Sequence, residues 1–369
     1  MVSKTPFYIP SLDGIRVVAF SIVFLAHAGL GQWIPAGFGV TIFFFLSGYL
    51  ITTLIRRECE KFGDLDFKLF YMRRILRIWP SFYLTLIVAI GLTLMGFLSG
   101  SLELPAVLIQ FFHVANYGVM NGWTAMAPGT DVYWSLAVEE HFYLISPWFY
   151  LFLIRCKLTS KQQAAVMWTL CALILMWRCI LVFGLNAPET RVFYGTDTRI
   201  DSILFGCILA VHGNPMLDHS SISSVGATEH ASINTRSKRL LLPLGFGLLA
   251  ISFVIRNAEF RETLRYTIQG LALIPIFIVA IREPKFILFR WLNIGWIRFL
   301  GLMSYSLYLI HHVVIIGVRS WGRQLHPMSQ GALSLGLSIA IAHALYVTIE
   351  QPMAQIRKQF ARHSEANWH

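Results

Sequence analysis

Apolar stretches of about twenty residues, the length a helix needs to cross bilayer hydrocarbon, follow one another along almost the whole chain. Short polar segments separate them. The pattern predicts ten spans, at 12–32, 36–55, 79–99, 134–154, 164–183, 200–213, 240–256, 265–281, 297–318 and 331–350, the sixth of them short. A further apolar piece at 104–120 carries Pro105, His113 and Asn116, so it is expected to be re-entrant or an eleventh helix. The fold class expected is all-α: a polytopic integral membrane helical bundle of about ten transmembrane helices, or eleven with that piece. No internal repeat stands out, which weakens an inverted-repeat transporter. The 56–77 stretch reads as a long, basic, amphipathic inner loop, and 213–239, rich in Ser, Asn, Gly and His, as a flexible one. Neither divides the chain. One membrane domain is expected over 1–355, with a short cytoplasmic tail at 356–369, and any chemistry must lie within the bundle.

Composition agrees. Of 369 residues, 56% are hydrophobic and 13% charged, far too apolar for a soluble domain. The net charge of +11 would suit a nucleic-acid partner, but its distribution argues otherwise. With the N-terminus placed inside, 21 of the 30 Lys and Arg residues fall on inner segments and seven on outer ones, the bias that orients membrane proteins. The charge therefore sets topology: a multi-pass protein of the plasma (inner) membrane with both termini cytoplasmic, surrounded by lipid and without nucleic acid. Trp33, Trp79, Trp134, Trp296 and Trp321 fall near span ends, as an aromatic belt does. None of the five cysteines falls in an outer loop, so no disulfide framework is implied, and no Cys/His cluster has zinc-site spacing. Lys4, the apolar 17–25 and Ala26-His27-Ala28 loosely mimic a cleavable leader, but Asp13 and Arg16 just before the apolar core make a poor one.

Within this apolar background a few polar residues stand out. Arg16 and His27 are eleven residues apart, about 20° beyond three full helical turns, so they share one face roughly 16 Å apart along the axis. A central Arg costs roughly 2.5–3.5 kcal/mol, which points to a polar path into the bilayer; the plain alternative is a snorkelling Arg and a packed His. Arg73, Arg74 and Arg77, just ahead of Pro80, gather three guanidiniums at an inner boundary. They could grip the phosphates of a nucleotide or coenzyme, or only lipid headgroups. The fourth span opens with Trp134, Ser135, Glu139, Glu140 and His141, where a carboxylate needs a partner. Glu139 could orient an acceptor or act as acid or base, or pair with Arg178 or Arg199. Thr198, Arg199 and Asp201 stand at the mouth of the sixth span, with an intrahelical Arg–Asp pair as the plain reading. Ser304, Tyr308 and His311 form a polar stripe. Gly37, Gly39, Ser47 and Gly48 allow close helix packing or shape a cleft. Glu350-Gln-Pro352 is expected to stop the last span.

Together these elements resemble the acyltransferase 3 family of integral-membrane acyltransferases, in order over about residues 8–355. The carriers are SLDGIR with Arg16 and His27 in an R-x10-H arrangement, FFFLSGYLI, RRILRIWP, WSLAVEEHFYL, TDTRID, SYSLYLIH and the E-x-P at Glu350. Val17, where the family often has a small residue, is a minor departure. The resemblance implies a membrane O-acyltransferase that moves acetyl from cytoplasmic acetyl-CoA, its co-substrate, to a hydroxyl of a cell-envelope or secreted carbohydrate. It implies a stand-alone form without the hydrolase-like domain that some members append, and no metal. Arg16 and His27 are then the essential pair, and Arg73, Arg74 and Arg77 the acyl-CoA contacts. His27, whose neutral form burial favours, is expected to act as base or acyl carrier. Arg16 holds a phosphate or the developing oxyanion, and Glu139 and Asp201 position the acceptor. Ser47, Trp134, Ser135, Arg199, Tyr305 and His311 complete the expected acceptor contacts. Two other classes compete. A transporter or flippase has no use for a coenzyme site, and in a scaffold His27→Ala costs stability rather than activity.

Overall fold

A computed structural model describes residues 10–123, 125–218 and 235–360, and no strand forms among them. Helix α1 (Pro10–Leu25) passes into a single π turn, Ala26–Leu30, where Gly29 takes φ 123°, a value that side chains resist. Helices α2 (Ala36–Phe62) and α3 (Phe67–Leu94) follow. The 56–77 stretch is thus not a loop but the end of one long helix and the start of the next. Its apolar residues Leu65 and Phe70 are buried while Glu60, Lys61 and Lys68 stay exposed, so helical packing holds it. Gly63, at φ 76°, closes α2, and the Asp66 carboxylate accepts from Leu69 N–H at 2.9 Å to open α3.

The 104–120 piece folds as two short helices, α4 (Leu104–Phe111) and α5 (Ala115–Met120), each too short to cross a bilayer. Then come α6 (Trp134–Arg155), α7 (Ser160–Cys179), α8 (Glu189–Tyr194) and α9 (Thr196–Val211). The Thr159/Gln162 capping box starts α7, and a π turn prolongs it to Gly184. Residues 219–234 of the expected 213–239 loop lie outside the described residues. After them stand α10 (Thr235–Val254), α11 (Ala258–Glu262) and α12 (Leu264–Arg282). The expected 297–318 span is broken: α13 (Gly295–Leu302) and α14 (Ser304–Trp321) meet at 73°. The last span does not stop at Glu350-Gln-Pro352. Helix α15 (Pro327–Leu345) runs through a π turn, Tyr346–Glu350, into α16 (Gln351–Gln359), whose first turn takes Pro352, where a missing N–H breaks least. Residues 361–369 of the expected tail lie outside the described residues.

The protein is a multi-pass membrane protein. Among the described residues six helices are long and apolar enough to cross a membrane, or seven if the bent α13–α14 pair is one span. The ten expected from hydropathy include three that do not pass on their own. Helix α6 carries Glu139, Glu140 and Arg155, α9 has only 16 residues, and only Leu240–Val254 of α10 is apolar.

Helix α9 is buried along nearly its whole length against α2, with backbones in close approach. A Cβ on Gly206 would lie 2.1 Å from the Phe45 carbonyl oxygen, and one on Gly48 2.0 Å from that of Ile203. Gly206→Ala therefore forces the two helices apart. We expect it to cost about 1–3 kcal/mol, read as a lowered melting temperature of the detergent-solubilised protein. An unchanged melting temperature would show that the pair can separate freely.

Candidate active site

Where α1 begins, α2 ends and α3 begins, the bundle encloses a cavity of about 370 Å³, within the range of ligand sites. Six cations line it, Arg16, Arg73, Arg74, Arg77, Arg357 and Lys358, against three carboxylates, Asp13, Glu58 and Glu350. Continuous helix through α3 brings Arg73 and Arg77 one turn apart with Arg74 beside them. Arg16 and Arg73 are among the cations already engaged. Arg16 donates to Asp13 at 2.5 Å, and Arg73 donates to Glu58 at 2.6 Å and to the Phe360 carbonyl at 3.2 Å. Arg74 lies against the Phe70 and Tyr143 rings, and its buried Nε meets no hydrogen-bond partner among the described residues. Glu350 accepts from Ser306 at 2.5 Å. Arg357 and Lys358 come from the stretch that hydropathy assigns to a tail. Their one signal in the sequence is spacing, since seven residues past Glu350 returns to nearly the same helical face.

A second cavity, of about 110 Å³, shares Arg16, Leu50, Arg74 and Arg77 with the first. Ser47, Ser135, Glu139, Glu140, Tyr143, Ser304, Tyr305 and Tyr308 bring hydroxyls and carboxylates to its wall. Glu139 makes no ion pair with Arg178 or Arg199. It accepts instead from Ser47 and from Tyr143, each at 2.9 Å. Ser135 and Tyr308 share a hydrogen bond of 2.6 Å, and Tyr305 donates to the Ile78 carbonyl at 2.9 Å.

His27 stands in the π turn at the far end of α1, eleven residues and roughly 16 Å from Arg16, and lines neither cavity. Its Nδ1 lies 3.0 Å from Nε2 of His311, and His312 stacks on its ring at 4.5 Å. The Tyr308 ring, on the second cavity, stands 5.5 Å from that of His311, so side chains in contact lead from this cavity to His27. His312 also meets Asp131 at 3.0 Å. Desolvation pushes the Asp131 carboxyl up, and the hydrogen bond and charge of His312 more than offset it, holding it below its ordinary value. The expected set missed His312 and Asp131. The His-His pair in the ninth span was visible, but nothing local marks Asp131.

Three expected acceptor contacts fall elsewhere. Asp201 is wholly buried and pairs with Arg178 of α7 at 2.7 Å, across helices rather than with Arg199. Arg178 also donates to the Thr198 carbonyl at 2.6 Å, the Thr263 carbonyl at 3.1 Å and Thr267 Oγ1 at 2.6 Å. Arg199 sits 4.0 Å over the Tyr266 ring and 5.7 Å from that of Trp134. Trp134, Arg199 and Asp201 line neither cavity. Ser47, Ser135 and Tyr305 do reach the second, and His311 meets His27.

The sequence profile of an acyltransferase domain matches residues 9–347. The chain belongs to the acyltransferase 3 family. This acyltransferase 3 chain is 29% identical over 372 residues to the O-acetyltransferase OatA of Staphylococcus aureus strain NCTC 8325, and equally to OatA of strain COL. Each alignment covers 95% of this chain and 58% of the relative, so the chain spans less than two thirds of those relatives' length. No solved structure matches it.

The buried Arg178–Asp201 pair ties α7, α9 and α12 together. Asp201→Ala leaves a charge without a partner in the bundle, and we expect a loss of about 3–5 kcal/mol, seen as a collapse in folded, monodisperse protein after extraction. Normal folding with selective loss of turnover would instead put Asp201 back at the acceptor.

Proposed function

We propose that this acyltransferase 3 protein is a membrane O-acetyltransferase, moving acetyl from cytoplasmic acetyl-CoA to a hydroxyl of a cell-envelope or secreted carbohydrate. The cationic cavity, which shares Arg16, Arg74 and Arg77 with a hydroxyl-lined one next to the residues that lead to His27, carries this reading. Coenzyme A bears three phosphate groups, and a wall where cations outnumber carboxylates six to three suits them. The Nε of Arg74, buried without a partner among the described residues, is the kind of orphan that a bound anion would satisfy. Since Arg73 is held by Glu58, Arg74 and Arg77 are assigned the main phosphate contacts, with Arg73 and Arg357 at their side. Arg16 faces both cavities, so it can hold a phosphate or the oxyanion that develops at the acyl carbon. His27 takes the acceptor's hydroxyl proton or carries the acyl group itself. Glu139, fastened by Ser47 and Tyr143, orients the acceptor together with Ser135 and Tyr305, while His311 acts through His27.

In the same reading, the cavity end of the bundle faces the cytoplasm, as the bias in Lys and Arg suggests, and the protein sits in the inner membrane. α6, α9 and α10 then cross as well, bringing the spans to ten, and the working membrane domain, expected to end at 355, takes in α16 with Arg357 as well. The likeness to the Staphylococcus aureus O-acetyltransferases supports O-acetyl transfer over solute transport.

The test uses inner-membrane vesicles holding wild type or His27→Ala at matched levels, with acetyl-CoA labelled in its acetyl group. Wild type should move label into envelope carbohydrate, and the variant should do so about 100- to 10,000-fold more slowly. Equal transfer by a folded His27→Ala protein would remove His27 from the chemistry. No transfer by wild type from any acyl donor would favour a transporter or flippase. Separately, Arg74→Ala and Arg77→Ala should each raise the KM for acetyl-CoA about tenfold with little change in kcat. An unchanged KM would end the phosphate assignment.

A further inference from the structure

His27 is surrounded by groups from two other elements. His311 and His312 approach from α14, Asp131 from the turn before α6 by way of His312, and Arg319, also of α14, donates to the His27 carbonyl at 2.6 Å. The His27 and His311 rings lie within 12° of parallel, their centroids 5.2 Å apart. His311 has no exposed surface, and its Nδ1 lies 2.7 Å from the Tyr308 carbonyl oxygen. A carbonyl oxygen only accepts, so Nδ1 of His311 carries the proton and donates. An imidazole shut away from water, beside two further imidazoles and with the nearby Asp131 carboxylate taken up by His312, is neutral and has a single N–H. Nε2 of His311 is therefore a lone pair and an acceptor. Across the 3.0 Å contact the donor must then be Nδ1 of His27. His27, neutral in its turn, keeps its lone pair on Nε2.

We infer that His311, anchored on the Tyr308 carbonyl, is a positioning residue that holds His27 as the Nδ1–H tautomer and makes Nε2 of His27 its reacting atom. The reactive part of this inference rests on the acyl-transfer reading above; the tautomer stands apart from it. In the transfer step the acceptor oxygen bonds to the acyl carbon, and Nε2 receives the hydroxyl proton. The carbon–sulfur bond breaks and its electron pair leaves with sulfur, which then takes the proton from Nε2. Throughout, Nδ1–H of His27 stays on His311, which stabilises the imidazolium while it lasts.

Two measurements test this. The first needs no variant of His311. Magic-angle-spinning NMR of the full chain in lipid, labelled with nitrogen-15 at histidine, separates protonated from bare ring nitrogens, and the difference from His27→Gln picks out His27. We expect Nδ1 protonated and Nε2 bare; the opposite assignment overturns the inference whatever the activity. The second is kinetic, in vesicles with labelled acetyl-CoA. His311→Phe, which cannot accept from His27, should lower kcat at least about a hundredfold and leave the KM for acetyl-CoA within about twofold. In His311→Gln, the amide oxygen accepts from His27 and the amide nitrogen donates to Tyr308, so at least about a tenth of wild-type kcat should return. Full activity of His311→Phe, or a folded His311→Gln no better than it, overturns the positioning role. If wild type transfers no acyl group from any donor, the acyl-transfer reading fails, and if His27→Ala keeps its activity only the catalytic role of His27 fails; in either case the tautomer result still stands or falls on the spectra.

Discussion

Arg178, Arg199 and Asp201 have no exposed surface, in a bundle whose surroundings offer no hydrogen bonds. Lipid cannot satisfy a charge, so each must find its counterpart inside the protein or at a cavity. The way each does so organises much of the fold. Arg178 reaches Asp201 and the backbone at Thr198 and Thr263, Arg199 settles among the rings of Tyr266, Trp134 and Phe193, and α9 is locked between α7, α12 and α2. With those charges consumed in packing, α9 lies close enough to α2 for backbone to touch side-chain-free backbone at Gly48 and Gly206.

Two further groups of polar side chains gather at the two ends of α1. At its start the arginines of α1 and α3 meet cations of α16 around one cavity; at its end His27 meets His311 and His312. Each end involves a π turn. One carries His27 and the other ends on Glu350, whose carboxylate accepts from Ser306. Such turns shift helical register and turn side chains away from the regular face, and they recur at functional sites. Between the two ends the hydroxyl-lined cavity touches the arginine side directly and the histidine side only through Tyr308. The proposed donor and acceptor halves of the reaction thus share one helix.

Much of the candidate site was legible because its residues are out of place where they stand in the sequence. An Arg, a His or a Glu within an apolar run is conspicuous, and Arg16, His27, Arg73, Arg74, Arg77, Ser47, Ser135, Glu139, Tyr305 and His311 all line a cavity or touch His27. Arg199 and Asp201 are just as conspicuous, yet they line neither cavity. A charge in an apolar run announces only that it needs a partner, not whether that partner is a ligand or another helix. Arg357, Lys358 and Asp131 escaped for the converse reason, being polar residues in segments already polar.

Hydropathy alone was enough for an all-helical, multi-pass membrane protein, because the cost of placing backbone and charge in hydrocarbon acts on local sequence. The order of motifs sufficed for the family. What the linear pattern could not decide were features set by contacts between distant residues. These are the bend between α13 and α14, the continuation of α15 through Glu350 into α16, the pairing of Asp201 with Arg178 instead of Arg199, and the meeting of His27 with His311. Each depends on which helix packs beside which, and that is settled by the shape of the whole bundle, where one buried partner outweighs several units of local preference.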